Sequence, residues 1–207
     1  VNRSEGKLGL YSSRGIGYAY EGILTCSSIK EAQRYYQLFQ EFIKTPGNVK
    51  ESIRQRLPDF PKIAITYTVG ENEEGAMVNQ KMMKQSLQDY NDMFGTKFGL
   101  EDLTAYNNDL NKRLMRKQAK YANRDEQLDL VIVVDRLLTG FDAPCLSTIF
   151  IDRPPMKPQH LIQAFSRTNR LYDQGKRYGQ IVTMQYPANY AEAIDNALVL
   201  YSNGGTD

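Results

Sequence analysis

Two short stretches of the chain hold residue types suited to a phosphorylated ligand. The first is Asp135-Arg136-Leu137-Leu138-Thr139-Gly140-Phe141-Asp142-Ala143-Pro144. It offers a hydroxyl at Thr139, close backbone approach at Gly140 and, at Asp142, a carboxylate able to accept from a ribose hydroxyl. Pro144 fixes the exit. Its plainer reading is a tight loop with an Asp-capped turn. The second runs Pro-Gln-His-Leu-Ile-Gln-Ala-Phe-Ser-Arg-Thr-Asn-Arg over 158–170. Leu161, Ile162 and Phe165 give it an apolar face. Gln163, Arg167 and Arg170 fall at i, i+4 and i+7 and share one face if the helix persists. Guanidinium forks stay charged and match phosphate oxygens two at a time, so this row suits a polyanion. The plainer reading here is a solvated helix face with ordinary surface arginines.

The elements that must position these residues form an α/β pattern, in which apolar runs alternate with helical spacing. Strands are predicted over 22–28, 62–67, 130–134, 146–151 and 180–184. A helix over 29–45 has Ser28 as N-cap and Pro46-Gly47 as its stop. The closing helix spans 190–201. Continuous apolar runs, rather than alternation, predict a mainly parallel sheet covered on both faces. The crevice for a ligand then lies at the carboxyl ends of the strands. The segment 71–124 is long, polar and helix-favouring, and reads as two or three helices elaborating one crossover within a single domain over 1–207.

Taken together, Leu-Leu-Thr-Gly-Phe-Asp-Ala-Pro (137–144) and Gln-Ala-Phe-Ser-Arg-Thr-Asn-Arg (163–170) resemble motifs V and VI of superfamily 2 helicases. More narrowly, the pair resembles the motor (R) subunit of type I restriction–modification enzymes, whose habit is Ser, here Ser166, where the wider superfamily has Gly. The likeness is detailed over 130–186 and loose over 22–68, where Thr25-Cys26-Ser27-Ser28 stands in the place of motif IV. It implies a RecA-like three-layer lobe, the C-terminal of two. Arg167 and Arg170 would be arginine fingers toward the γ-phosphate, and Gln163 would position nucleotide or water. Asp142 and Gly140 would meet ATP, and Thr139 and Ser27 the phosphodiester backbone of double-stranded DNA. The implied partners are an upstream lobe and nuclease domain of the same parent chain and the modification and specificity subunits. ATP and Mg2+ would be held mainly by that upstream lobe. A non-catalytic docking module, or a lobe of another superfamily 2 remodeller, is the alternative.

The remaining signals bound that reading. Gly6-Lys7 is followed by Leu8 rather than Ser or Thr, and Asp125-Glu126-Gln127 follows polar residues rather than an apolar strand. Neither is the phosphate loop or the acidic pair for magnesium. No Pro-Asp precedes the lone Asp/Glu-x-Lys triplet, Glu5-Gly6-Lys7, so nuclease chemistry is expected elsewhere. Lys112, Arg113, Arg116, Lys117, Lys120 and Arg124 crowd a predicted helix and read as a solvated face in preference to a DNA-tracking one. His160, the lone histidine, reads as packing or capping, and no metal ligand set accompanies it. Cys26 and Cys145 flank strand-like residues and are expected buried and reduced, which suits a cytoplasmic protein. A net charge of +2 neither demands nor excludes nucleic acid. No run is long and apolar enough for a membrane span. The start, Val1 to Lys7, lacks a signal pattern and reads as a fragment of a longer soluble protein.

Overall fold

A computed structural model describes residues 20–68, 75–134, 142–170, 172, 176 and 178–202. Five strands form one sheet: β1 (Glu21–Cys26), β2 (Ile63–Thr66), β3 (Leu130–Val134), β4 (Leu146–Asp152) and β5 (Gln180–Thr183). Their order is β2-β3-β1-β4-β5, and every neighbouring pair is parallel. Ile23 sits opposite Val131 on one side and Ile149 on the other, and all three are fully buried. That is why the inner strands read as unbroken apolar runs: both of their faces are covered, while the edge strand β5 stays partly exposed.

The helices follow from local chemistry. Helix α1 (Ile29–Lys44) starts where the Ser28 hydroxyl accepts from the Glu31 amide at 3.2 Å, and stops at Thr45, ahead of Pro46-Gly47. A short helix α2 (Glu51–Arg56), which the sequence pattern does not signal, closes a small cluster of Val49, Ile53, Leu57 and Phe60. After β4 comes α5 (Pro158–Thr168), opened by a proline in its first turn, and α6 (Pro187–Ser202) closes the chain. From β1 the chain crosses to β2 in one lateral direction, and from β4 to β5 in the other. Right-handed crossovers therefore set α1 and α5 on opposite faces.

Between β2 and β3 run α3 (Ala76–Phe94) and α4 (Leu103–Met115), followed by two 3-10 turns at Ala119–Ala122 and Arg124–Glu126. Among the described residues this segment adds no strand. It covers the outer edge of β2 instead: the Tyr106 hydroxyl donates to the Ile65 carbonyl at 2.7 Å, and Thr66 donates to Asn107 at 2.6 Å. An uncovered strand edge invites pairing with other chains, and this contact closes it. Beneath, Tyr106 meets Tyr90 and Phe98 edge to face and Phe94 tilts against Tyr90, continuous with the main core.

Two expectations require correction. The basic run 112–124 is no solvated helix, because α4 stops at Met115 and Arg116 turns into the left-handed region at φ 50°. Half of its cations point inward. Arg113 is 1% exposed, lies 3.8 Å above the Phe94 ring and pairs with Asp109 at 2.7 Å and with Glu126. Arg124 grips Asp129 with two nitrogens at 2.6 Å. A charge run counts residue types, but burial follows from where ion-pair partners lie. His160 is exposed in the first turn of α5, which overturns packing and leaves capping of the two readings given to it.

Candidate functional site

The site assembles at the amino edge of the sheet, not in the carboxyl-end crevice. Asp142 precedes β4 by four residues, and the last residue before the strand, Cys145, accepts at its carbonyl from the amide of Glu21, the first residue of β1. Asp142 is therefore anchored beside the strand starts. Helix α5 descends antiparallel to the strands, so its last turn returns to the same edge. Gly179, one residue before β5, passes directly under that turn. A Cβ there would stand 2.5 Å from the Thr168 carbonyl carbon, so only glycine permits the approach.

The helix ends at Thr168 with Asn169 as C-cap, so Arg170 lies beyond it and does not continue the face of Gln163 and Arg167. Arg170 instead turns back and makes a charged hydrogen bond to one oxygen of Asp142. Lys117 reaches the other oxygen at 3.2 Å. The three side chains remain 40%, 35% and 58% exposed respectively, so each pairing is exchangeable with water or ligand. Arg167 is half-buried in the last turn of α5, and Gln163 is exposed one turn earlier.

Two buried residues lock this edge from behind. Lys176, 3% exposed, donates from Nζ to the carbonyls of Pro144 and, at 2.7 Å, of Arg170. It thereby ties the loop of Asp142 to the chain leaving α5. Glu21 is fully enclosed with no hydrogen bond to either carboxylate oxygen, and Arg116 stands 3.5 Å away. Burial outweighs that cation and pushes the Glu21 carboxyl up to about 8. Burial likewise pushes the thiol of Cys145 up, and that of Cys26 up to about 12, so both free cysteines are inert as nucleophiles.

Of the residues singled out by sequence, the structure brings Asp142 and Arg170 into contact, with Arg167 and Gln163 on the adjoining helix. Ser27 follows the last residue of β1 and is set apart from them, at the carboxyl edge. Six residues of strand separate the two edges by about 20 Å. Its hydroxyl donates to Glu31. Thr139 and Gly140 lie outside the described residues. Sequence alone does not point to Lys117 or Lys176 here: the first sits within a run of like charges, and the second carries no periodic or motif signal. Among the described residues no group of three or more potential metal ligands converges, and no helix is long and apolar enough to cross a membrane.

What such an edge can do is bind anions beside an acceptor: two exchangeable cations flank a carboxylate, with a further guanidinium a turn away. The chain is similar to known proteins. The family model described as Type I restriction enzyme subunit R domain 3 matches residues 18–186. The SauCOLORF180P type I restriction enzyme endonuclease subunit of Staphylococcus aureus (strain COL) is 30% identical over 188 residues, covering 88% of this chain and 18% of that protein. The SsaAORF53P endonuclease subunit of Staphylococcus saprophyticus is 31% identical over 189 residues, with the same two coverages. The chain thus spans about a fifth of the length of these relatives. Among solved structures, T. fusca Cas3 aligns over 99% of this chain and 20% of its own, at 12% identity and a TM-score of 0.44.

Proposed function

This chain belongs to the family of type I restriction enzyme subunit R domain 3, and from that premise we propose that it is one motor lobe of an ATP-driven translocase of double-stranded DNA. The lobe, spanning 1–207, supplies arginines to an ATP whose phosphates and Mg2+ are cradled by another lobe of the same parent protein. The observation that supports this most is the meeting of Arg170 with Asp142 at an exposed edge. It joins two motifs 28 residues apart into one anion-binding surface.

Each residue has a distinct part in this reading. Asp142 accepts from the ribose, and the role of Gly140 is to bring backbone close to the ATP. Arg167 and Arg170 neutralise charge that gathers on the γ-phosphoryl oxygens in the transition state, and Gln163 orients nucleotide or water. The ATP supplies the phosphoanhydride whose hydrolysis drives the two lobes together and apart. DNA lies at the other edge, where Ser27 touches its phosphodiester backbone, and Thr139 makes a second contact of the same kind. The strands join the two edges as stiff rods, so closing on a nucleotide at one end moves the DNA contacts at the other. The remaining partners are a nuclease domain in the parent protein and the separate modification and specificity subunits.

The test is replacement of Arg167 and of Arg170 by Ala in the full-length protein. ATP hydrolysis and DNA translocation are both expected to cease, while an ATP analogue still binds. The isolated chain is expected to show no DNA-stimulated ATP turnover above buffer background. Near-normal translocation by both arginine variants would remove the basis for the motor assignment.

A further inference from the structure

We propose that Lys117, carried by the segment inserted between β2 and β3, is a positioning residue of the nucleotide edge: it is the counter-ion that stays with Asp142 when Arg170 leaves for a phosphate. The inference rests on the motor reading above and extends it to a part of the chain that neither motif includes.

The observations are geometric. Helix α4 passes the carboxyl end of β2 at its fifth residue, where Thr66 donates to Asn107, and the turns that follow run toward the opposite edge of the sheet. There the Leu114 carbonyl accepts from the Cys145 thiol at 3.2 Å, three residues from Asp142. Arg116 then stops the helix in the left-handed region, a conformation that costs a non-glycine residue energy and needs to be held. The hold is visible: its guanidinium is 2% exposed, donates to the Leu128 carbonyl at 3.1 Å and faces buried Glu21. The result of that fixed turn is that the next residue, Lys117, is directed at Asp142.

Asp142 therefore has one oxygen on Arg170 and the other on Lys117. When Arg170 moves to a phosphate, a carboxylate without Lys117 would be left uncompensated beside a polyanion and would repel it. With Lys117 in place, the charge of Asp142 stays balanced and its free oxygen stays aimed at the ribose. The cation is thus assigned to the nucleotide edge rather than to DNA.

The experiment is a double-mutant cycle in the full-length protein, reading both ATP turnover and the Kd of a non-hydrolysable ATP analogue. Lys117 is exposed, so its replacement should leave the fold intact. Lys117→Ala is expected to lower kcat and to weaken analogue binding, each about threefold, the scale of an exposed ion pair. Lys117→Arg restores both. In an Asp142→Asn background, Lys117→Ala has no further effect on either quantity, and DNA affinity is unchanged in every variant. The inference is overturned if Lys117→Ala changes neither quantity, if its effect persists undiminished beside Asp142→Asn, or if it lowers DNA affinity instead. Arg170→Ala run alongside separates the two levels. Should that variant keep its turnover, the motor reading itself fails; should it lose turnover while Lys117→Ala is silent, only the inference about Lys117 fails.

Discussion

The two edges of the sheet are built from the same five strands, yet one carboxylate at each is held in the opposite way. At the amino edge, Asp142, Arg170 and Lys117 make ion pairs open to water and able to change partners. At the carboxyl edge, Asp152 closes β4 buried, accepting from the Tyr35 hydroxyl at 2.6 Å and from the Gln185 amide. That hydrogen bond, together with burial, pushes the Tyr35 hydroxyl up to about 12. The first arrangement suits a surface that must trade one anion for another during turnover. The second suits a frame that must not move. An exposed ion pair costs little to break, whereas a buried and fully satisfied one costs much, so exposure sorts exchangeable from fixed charge.

The sharpest way to break this contrast is at the arginines. Arg170→Ala in the full-length protein is expected to lower ATP turnover by about 10³–10⁵, the range for arginine fingers, with DNA affinity retained. Lys cannot rescue it, because an ammonium lacks the planar fork. Equal losses of DNA affinity and turnover would show that the edges do not divide the work.

Next in size is the buried frame. Arg113→Ala removes a guanidinium that is 1% exposed, leaving Asp109 without its cation and Glu126 with only the exposed Lys120 at 3.5 Å. A loss of about 3–5 kcal/mol in unfolding free energy is expected, measured by denaturant titration. A loss below about 1 kcal/mol would place Arg113 with ordinary surface charges.

Glu21 gives the contrast a pH dependence. Its folded-state carboxyl titrates near 8, above the ordinary 4.5, so the folded chain holds that proton more tightly than the unfolded one. Its contribution to stability is whole below the ordinary value and declines as pH rises toward about 8. Across that window the wild type should lose of order a few kcal/mol, and Glu21→Gln, which cannot ionise, should flatten the decline. Parallel stability–pH curves for the two proteins would refute this origin.

The smallest effect is at the carboxyl edge. Ser27→Ala is expected to weaken DNA binding by less than about fivefold, one neutral hydrogen bond, with ATP turnover at saturating DNA unaltered. Filter or anisotropy binding at fixed salt checks it. A change confined to ATP affinity would move Ser27 to the other edge.

How much of this was legible without coordinates follows from range. The run Leu130-Val131-Ile132-Val133-Val134 announces a buried strand because both its faces are covered by the same fold that makes it parallel. Ser28 announces the start of α1 because capping is settled within three residues. Motif spelling likewise named Asp142, Arg167 and Arg170, since the chemistry of a phosphate limits the side chains that serve it. The sequence by itself thus determined the five strands and most of the helices, the family and the candidate anion-binding residues.

Tertiary structure alone decided which edge those residues occupy, and which of the crowded cations face inward. The chain from 135 to 145 has no helical or strand period, so nothing local reveals that Asp142 has already returned to the amino edge. Only the pairing of Glu21 with Leu146 fixes that. The inserted cations show the same limit. Arg113, Arg116 and Lys117 are near neighbours of one charge, but Phe94, Glu21 and Asp142, which give them three different environments, are 19, 95 and 25 residues distant. Charge and spacing are properties of the sequence. Whether a cation is buried, restraining or exchangeable depends on what the fold brings opposite it, because desolvation and pairing are set by distance in space.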